Sequence, residues 1–141
     1  MRSLVIRAGN VFGFNPAIRF DAVVNAMALQ ASTEGAVTLH GDGSQSRPFI
    51  DVEDLAWAVT ETLQTEVASG TYNLATHNAS IGEVAELIGL HTLGCERTYL
   101  HRDARMRNVQ VMLPTKLGEM IQLLPKSFGE SIRNLVDATG P

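Results

Sequence analysis

The chain has 141 residues, 45% apolar and 18% charged, which suits one soluble globular domain with room for a core. A formal charge of −4, with Lys and Arg scattered, argues against nucleic acid as the main partner, and no apolar run approaches the ~20 residues of a membrane span. Cys95 has no second cysteine to pair with, the four histidines show no metal-ligand spacing with it, no signal-peptide pattern opens the chain, and a reducing cytoplasm is the expected setting.

Leu4 to Ala8 is an apolar run broken only by Arg7, the pattern of a strand covered on both faces in a parallel sheet. Residues 9–13 then read as a tight, glycine-bounded turn at the strand's carboxyl end, where open α/β sheets bind ligands. Asn10 either offers its amide there or closes an Asx-turn with the backbone. Asn15-Pro16 stops regular structure, and from Phe20 the apolar residues Phe20, Val23, Val24, Met27, Ala28 and Ala31 recur at helical spacing, with the Phe and Met facing the core. Arg19 and Asp21 stand at the helix entrance. Residues 37–40 alternate as a half-buried strand, at whose end His40 either lines a ligand slot or sits partly exposed.

Residues 41–55, GDGSQSRPFIDVEDL, read as a binding loop. Gly41 and Gly43 permit positive φ, so the backbone can turn sharply and approach a ligand. Arg47 follows at the mouth of a short strand through Phe49 and Ile50. Its guanidinium is a planar fork suited to a phosphate or carboxylate, each charge-assisted bond contributing roughly 1.5–3 kcal/mol. The alternative is a hairpin-like turn whose Arg47 pairs with Asp51 or Glu53, a surface contact of small worth. Asp51 caps the next helix and Asp54 complements its dipole.

That helix buries a stripe of Val52, Leu55, Ala56, Val59 and Leu63 and ends near Gln64, with Trp57 outside the stripe and packed on a neighbouring element. A short strand at residues 71–74 follows. Ser80-x-x-Glu83 is a capping box opening a helix through Ile88 that Gly89 stops, and Ser127-x-x-Glu130 is a second box leading a final helix to about Ala138. Between them lie short strands at 98–100 and 109–112, a basic segment at 102–107 that reads as a solvated charge run, and a helix over 114–121. There is no internal repeat.

These residues together resemble the carboxyl-terminal half of an extended short-chain dehydrogenase/reductase of the NAD-dependent epimerase/dehydratase family. Arg7-Ala8-Gly9-Asn10-Val11-Phe12-Gly13 fits that family's R-x-x-N-V-[YF]-G, and residues 41–55 fill G-D-G-x-x-x-R-x-[FYW]-[IVL]-x-V-x-D-[LV] without a gap. Tyr72-Asn73-Leu74 and the helix opened by Ser80-Ile81 match later elements, and residues 19–25 with Arg47-Pro48-Phe49 are similar to a sugar-nucleotide branch. The resemblance implies an α/β fold: a late parallel strand of a Rossmann-type sheet plus the small mixed α/β substrate-binding domain, spanning residues 1–141. It implies that Asn10 contacts a nucleotide sugar near its diphosphate, Arg47 binds that diphosphate, Phe49 lies beside the substrate, and Asp21 and His40 line the nucleotide. A family D-x-R maps either to Asp103-x-Arg105 or, aligning residues 108–116, to Arg107 with Arg105 replacing the Asp.

NAD or NADP serves the intact family enzyme, but this sequence has neither G-x-x-G-x-x-G nor Tyr-x-x-x-Lys: four residues after Tyr72 stands Thr76, and after Tyr99, Asp103. The expectation is therefore a substrate-binding half that binds no cofactor alone, carries no catalytic residue and lacks its amino-terminal NAD-binding half. Its partners would be a nucleotide sugar and that half, with a homo-oligomer also compatible. The competing readings are a non-catalytic nucleotide-sugar-binding or partner module, and a fragment of a reductase with a non-sugar substrate.

Overall fold

The structure is a computed structural model that describes residues 3–100 and 107–140. Among the described residues seven strands and five helices run β1 (Leu4–Ala8), β2 (Asn10–Phe12), α1 (Val23–Glu34), β3 (Ala36–His40), β4 (Ser46–Asp51), α2 (Val52–Gln64), β5 (Gly70–Leu74), β6 (His77–Ser80), α3 (Ile81–Leu90), β7 (Glu96–Leu100), α4 (Lys116–Met120) and α5 (Phe128–Thr139). β1 pairs parallel with β5, and β3 parallel with β7. β4 sits centrally between β2, parallel to it, and β6, antiparallel. Among the described residues no helix is long and apolar enough to cross a membrane.

Local chemistry fixes the helix starts. Asp51 accepts the Glu53 N–H at 2.8 Å, Ser80 and Glu83 form the reciprocal capping box, and Ser127 accepts from the Glu130 N–H. The main core packs α1, α3 and α5 against β3 and the β2–β4–β6 sheet, and a smaller cluster gathers Ile50, Ala58, Leu74, Leu117 and Ile121. At the centre of the first, Phe12 meets Phe128 edge-on at 5.5 Å and Phe49 stacks on Phe128 at 5.6 Å.

Several elements depart from the sequence reading. β1 forms, but it is not covered on both faces: β5 is its one pairing neighbour among the described residues and Val5 is 53% exposed. Residues 10–12 are a strand rather than a turn, because Asn10, Val11 and Phe12 register against Phe49, Ile50 and Asp51. Gly9 serves a close approach instead, since a Cβ there would stand 2.8 Å from the Pro48 carbonyl oxygen. α1 starts at Val23, and Phe20 is exposed in the loop before it. The loop at 41–45 is no hairpin, because β3 and β4 join different sheets. α3 runs past Gly89 to Leu90, its end closed by the His91 N–H on the Ile88 carbonyl. The helix expected over 114–121 is shorter, capped by Thr115 and confined to α4. Residues 109–112 form no strand: Val111 is held by both ends of the Asn78 side-chain amide, and Val109 donates to the Ser46 carbonyl. Trp57 does not pack away but is 45% exposed. The α2 stripe is only partly buried; Leu55 packs against the smaller cluster, while Val59 and Leu63 are exposed.

Candidate functional site

β2 and β4 run parallel, so the residues just past their carboxyl ends, Gly13 and Val52, stand side by side. They open a cleft of about 540 Å³, completed by the loop before α1 and that helix's first turn. Asn10 and Asp21 both line it, together with Arg19 and Asn25. Gly13 has φ +118°, a conformation that spares the cleft floor a side chain.

Asn10 makes no Asx-turn. Its Nδ2 donates to the Pro48 carbonyl at 3.1 Å, which ties β2 to β4 and leaves its Oδ1 without a partner among the described residues. Asp21 is gripped by Arg19 through Nε at 3.0 Å and Nη2 at 2.5 Å. That hydrogen-bonded contact holds the Asp21 carboxyl below, and the Arg19 guanidinium above, their ordinary values. Both side chains are exposed, so the fork remains free to exchange one oxyanion for another.

Asn25 is the residue that sequence reasoning missed. It is 3% exposed; its Oδ1 accepts the Gly13 N–H at 3.0 Å and its Nδ2 donates to the Arg19 carbonyl at 3.0 Å, so one buried amide fixes the cleft's two ends. The available signal was an Asn on the core-facing side of an apolar helix, where an unsatisfied amide would be costly.

The other expected residues do not line this cleft. Arg47 pairs with neither Asp51 nor Glu53: its Nη1 donates to the Ser46 carbonyl at 2.9 Å and to the Arg107 carbonyl. Nε and Nη2 have no partner among the described residues. Arg107 is exposed and contributes its backbone here, whereas Asp103 and Arg105 lie outside the described residues. His40 is half-buried, and its Nδ1 is a buried atom without a partner among the described residues. Phe49 is fully buried between the rings of Phe12 and Phe128. The glycine loop approaches α3 rather than open space: Gly41 and Gly43 have φ near +78° and +76°, and the Gly43 carbonyl accepts the Gly82 N–H at 2.8 Å.

Asp51 and Glu53 take Lys126 instead, clasping the segment before α5 onto the start of α2. Asp54, 8% exposed, has its carboxyl raised above the usual range by burial first and by the Asp51 charge second. On the far side of β4, the His77 ring stacks on Phe128 at 5.0 Å, its Nδ1 2.9 Å from the Thr76 hydroxyl. Burial lowers its pKa, against the opposing pull of Asp51. The folded chain therefore keeps His77 neutral where the unfolded chain protonates, near pH 6.5. This contribution to stability is complete above that value and is lost as pH falls from there through the folded pKa. His77→Phe, which preserves the stack, should flatten urea midpoints between pH 7.5 and 5.5; an unchanged slope would remove His77 from the account.

No two glycines stand three apart, and β1 passes through Gly9 to a strand rather than to a helix whose amino end could receive a pyrophosphate.

No curated protein matches the chain. Among solved structures it resembles UDP-N-acetylglucosamine 4-epimerase from Methanobrevibacter ruminantium M1, in complex with UDP-N-acetylmuramic acid, at 25% identity and TM-score 0.71, covering 95% of this chain and 44% of that one. RMD from Pseudomonas aeruginosa, complexed with NADPH, matches at 24% identity and TM-score 0.81 over 98% of this chain and 48% of its own. Helicobacter pylori ADP-L-glycero-D-manno-heptose-6-epimerase matches at 21% and 0.78, over 98% and 44%. The expected fold class is borne out by these Rossmann-type likenesses, and the chain spans less than half the length of each. Residues 1–75, over half of the chain, match the profile of the NAD dependent epimerase/dehydratase family, and the chain belongs to that family.

Proposed function

We propose that the chain is the nucleotide-sugar-binding part of an NAD-dependent epimerase/dehydratase whose redox chemistry resides in a companion NAD-binding half. The observation that carries this is the cleft at the carboxyl ends of β2 and β4, where the free Oδ1 of Asn10 and the exposed Arg19–Asp21 fork face one space. Open α/β sheets bind ligands at such ends. A sugar hydroxyl or amide can donate to Asn10, and the Arg19 fork can accept a phosphate in place of Asp21. Arg47, anchored through Nη1, keeps Nε and Nη2 for the diphosphate, with the backbone of Arg107 as its brace. Phe49 acts from behind, by holding β4 against Phe12 and Phe128. The UDP-N-acetylmuramic acid complex of the Methanobrevibacter ruminantium epimerase and the NADPH complex of RMD support the substrate class and the cofactor of the complete protein.

Calorimetric titration with UDP- and dTDP-sugars tests this. Arg47→Ala should weaken binding by about 1.5–3 kcal/mol, the worth of hydrogen bonds to a charged group, and Arg47→Lys should restore part of it because the fork is lost. Urea unfolding run alongside separates lost contacts from a loosened 46–107 link. Unchanged affinity in the Ala variant leaves Arg47 a structural brace, and no saturable binding by the parent chain sinks the reading.

A further inference from the structure

A second cavity, of about 550 Å³, opens between β6, one face of α3 and Phe128 at the start of α5, and it shares no lining residue with the Asn10 cleft. Its size is that of a small-molecule site. Glu83, Glu86, Leu87 and Leu90 reach it together, because steps of three and four residues return a helix to the same side. That face of α3 is mixed, two carboxylates beside two aliphatic side chains. Leu113 extends the apolar wall, and Leu90, 72% exposed, carries it out to the surface.

The polar positions left free in this cavity are acceptors. Glu86 has no partner among the described residues, and Glu83 spends Oε2 on the Ser80 N–H, which leaves its Oε1. The Thr76 hydroxyl gives its one hydrogen to the Phe49 carbonyl at 3.3 Å, so it takes up the Nδ1–H of His77 at 2.9 Å and leaves Nε2 as an acceptor. Phe128 backs that ring at 5.0 Å. Burial keeps the imidazole neutral, and no Lys or Arg lines the cavity, so the charge that faces it is negative. The Asn78 amide is engaged at both ends by the backbone of Val111.

We infer that this cavity is a second small-molecule site, for an organic cation: a primary ammonium group among Glu83, Glu86 and the His77 ring, on an apolar body lying along Leu87, Leu90 and Leu113. An ammonium brings three donors and no acceptor, which matches the free groups, and its charge is the one such a cavity attracts. A phosphate or carboxylate would meet like charge with no cation to hold it. A neutral apolar occupant, such as a side chain from a second copy, would cover the leucines and leave the acceptors unused. The site lies apart from the nucleotide-sugar cleft of the functional reading and does not depend on it.

The test is calorimetric titration with cyclohexylmethylamine, cyclohexylmethanol and cyclohexanecarboxylate, three ligands of one shape and different charge, in low salt at slightly alkaline pH. The amine should bind saturably and ~10-fold tighter than the alcohol, the difference between a charge-assisted and a neutral hydrogen bond, and the carboxylate should not bind. Glu86→Gln should weaken the amine by about 2- to 5-fold, as for a partly solvated ion pair, and Glu86→Lys should abolish its binding. Glu86 is exposed, so both variants should unfold at the parent's urea midpoint. Equal affinity for amine and alcohol, binding of the carboxylate, amine binding that survives Glu86→Lys, or no saturable binding of the amine each overturns the inference. Competition between the amine and a UDP-sugar would place the amine in the Asn10 cleft and overturn it as well. Amine binding by a chain that holds no UDP-sugar supports this site and sinks the functional reading instead.

Discussion

Phe49→Ala should cost the chain about 3–5 kcal/mol of stability, the usual penalty for truncating a fully buried Phe. The ring has no exposed surface and lies between Phe12, edge-on at 6.3 Å, and Phe128, stacked at 5.6 Å, so its removal leaves a cavity walled by two rings on different elements. β4 is the central strand, and Phe49 registers against Asn10 on one side and His77 on the other. Collapse into the space would therefore drag both neighbours, and the site is poorly able to relax. Against a total of roughly 5–15 kcal/mol this is a large fraction, equivalent to a fall of roughly 10–15 °C in the unfolding midpoint. Phe20→Ala is the contrast: Phe20 is 41% exposed in the loop before α1, and its loss should stay within about 0.5 kcal/mol. Thermal and urea unfolding of both variants measures the difference; a Phe49→Ala chain within about 1 kcal/mol of the parent would remove the aromatic trio from the centre of the core.

The same two phenylalanines mark where the sequence was readable. Capping is local, so Asp51, Ser80 and Ser127 announced their helices correctly. β1 was visible because a five-residue run that is apolar except at Arg7 needs no tertiary partner to be recognised. β2 was not, because three residues become a strand through register with β4, a contact separated by nearly forty positions. Phe20 shared a helical period with α1, but the buried Asn25 amide and the Arg19–Asp21 fork keep the preceding chain in a loop. α2 shows the limit of periodicity most plainly: its apolar stripe was expected to be buried, and the fold buries Asp54 and Ala58 instead while Ala56, Val59 and Leu63 stay exposed.

The site divides along the same line. Asn10 and Asp21 were legible as polar residues at a strand end and a helix entrance, and the cleft brings them together. Arg47 looked like a free fork because its two carbonyl acceptors, at residues 46 and 107, are backbone groups that no side-chain pattern announces. Gly41 and Gly43 have the positive φ expected of them, yet Gly43 spends that freedom on contact with Gly82 at the start of α3.

The largest effect expected concerns turnover: the chain by itself should neither bind NAD saturably nor convert a UDP- or dTDP-sugar, even when folded and able to hold the nucleotide. A dinucleotide pyrophosphate in this family is received by backbone amides of a glycine-rich turn opening into a helix, and the glycines here do not stand at that spacing. A general base that removes a hydroxyl proton contributes typically ~10²–10⁴-fold, and neither tyrosine has a lysine four residues on to lower its pKa. Asn10 can orient a substrate through its acceptor Oδ1, and Arg19 and Arg47 through cationic donors, but none offers a hydride acceptor. The two losses act on the same step, so activity should lie below detection rather than merely fall. NADH fluorescence titration and product chromatography with a panel of UDP- and dTDP-sugars measure it, with the companion half added as a second chain in the parallel sample. Saturable quenching, or conversion of any sugar by the chain alone, would overturn its assignment as a substrate-binding half and would require a cofactor site built from residues other than those of the family's glycine turn.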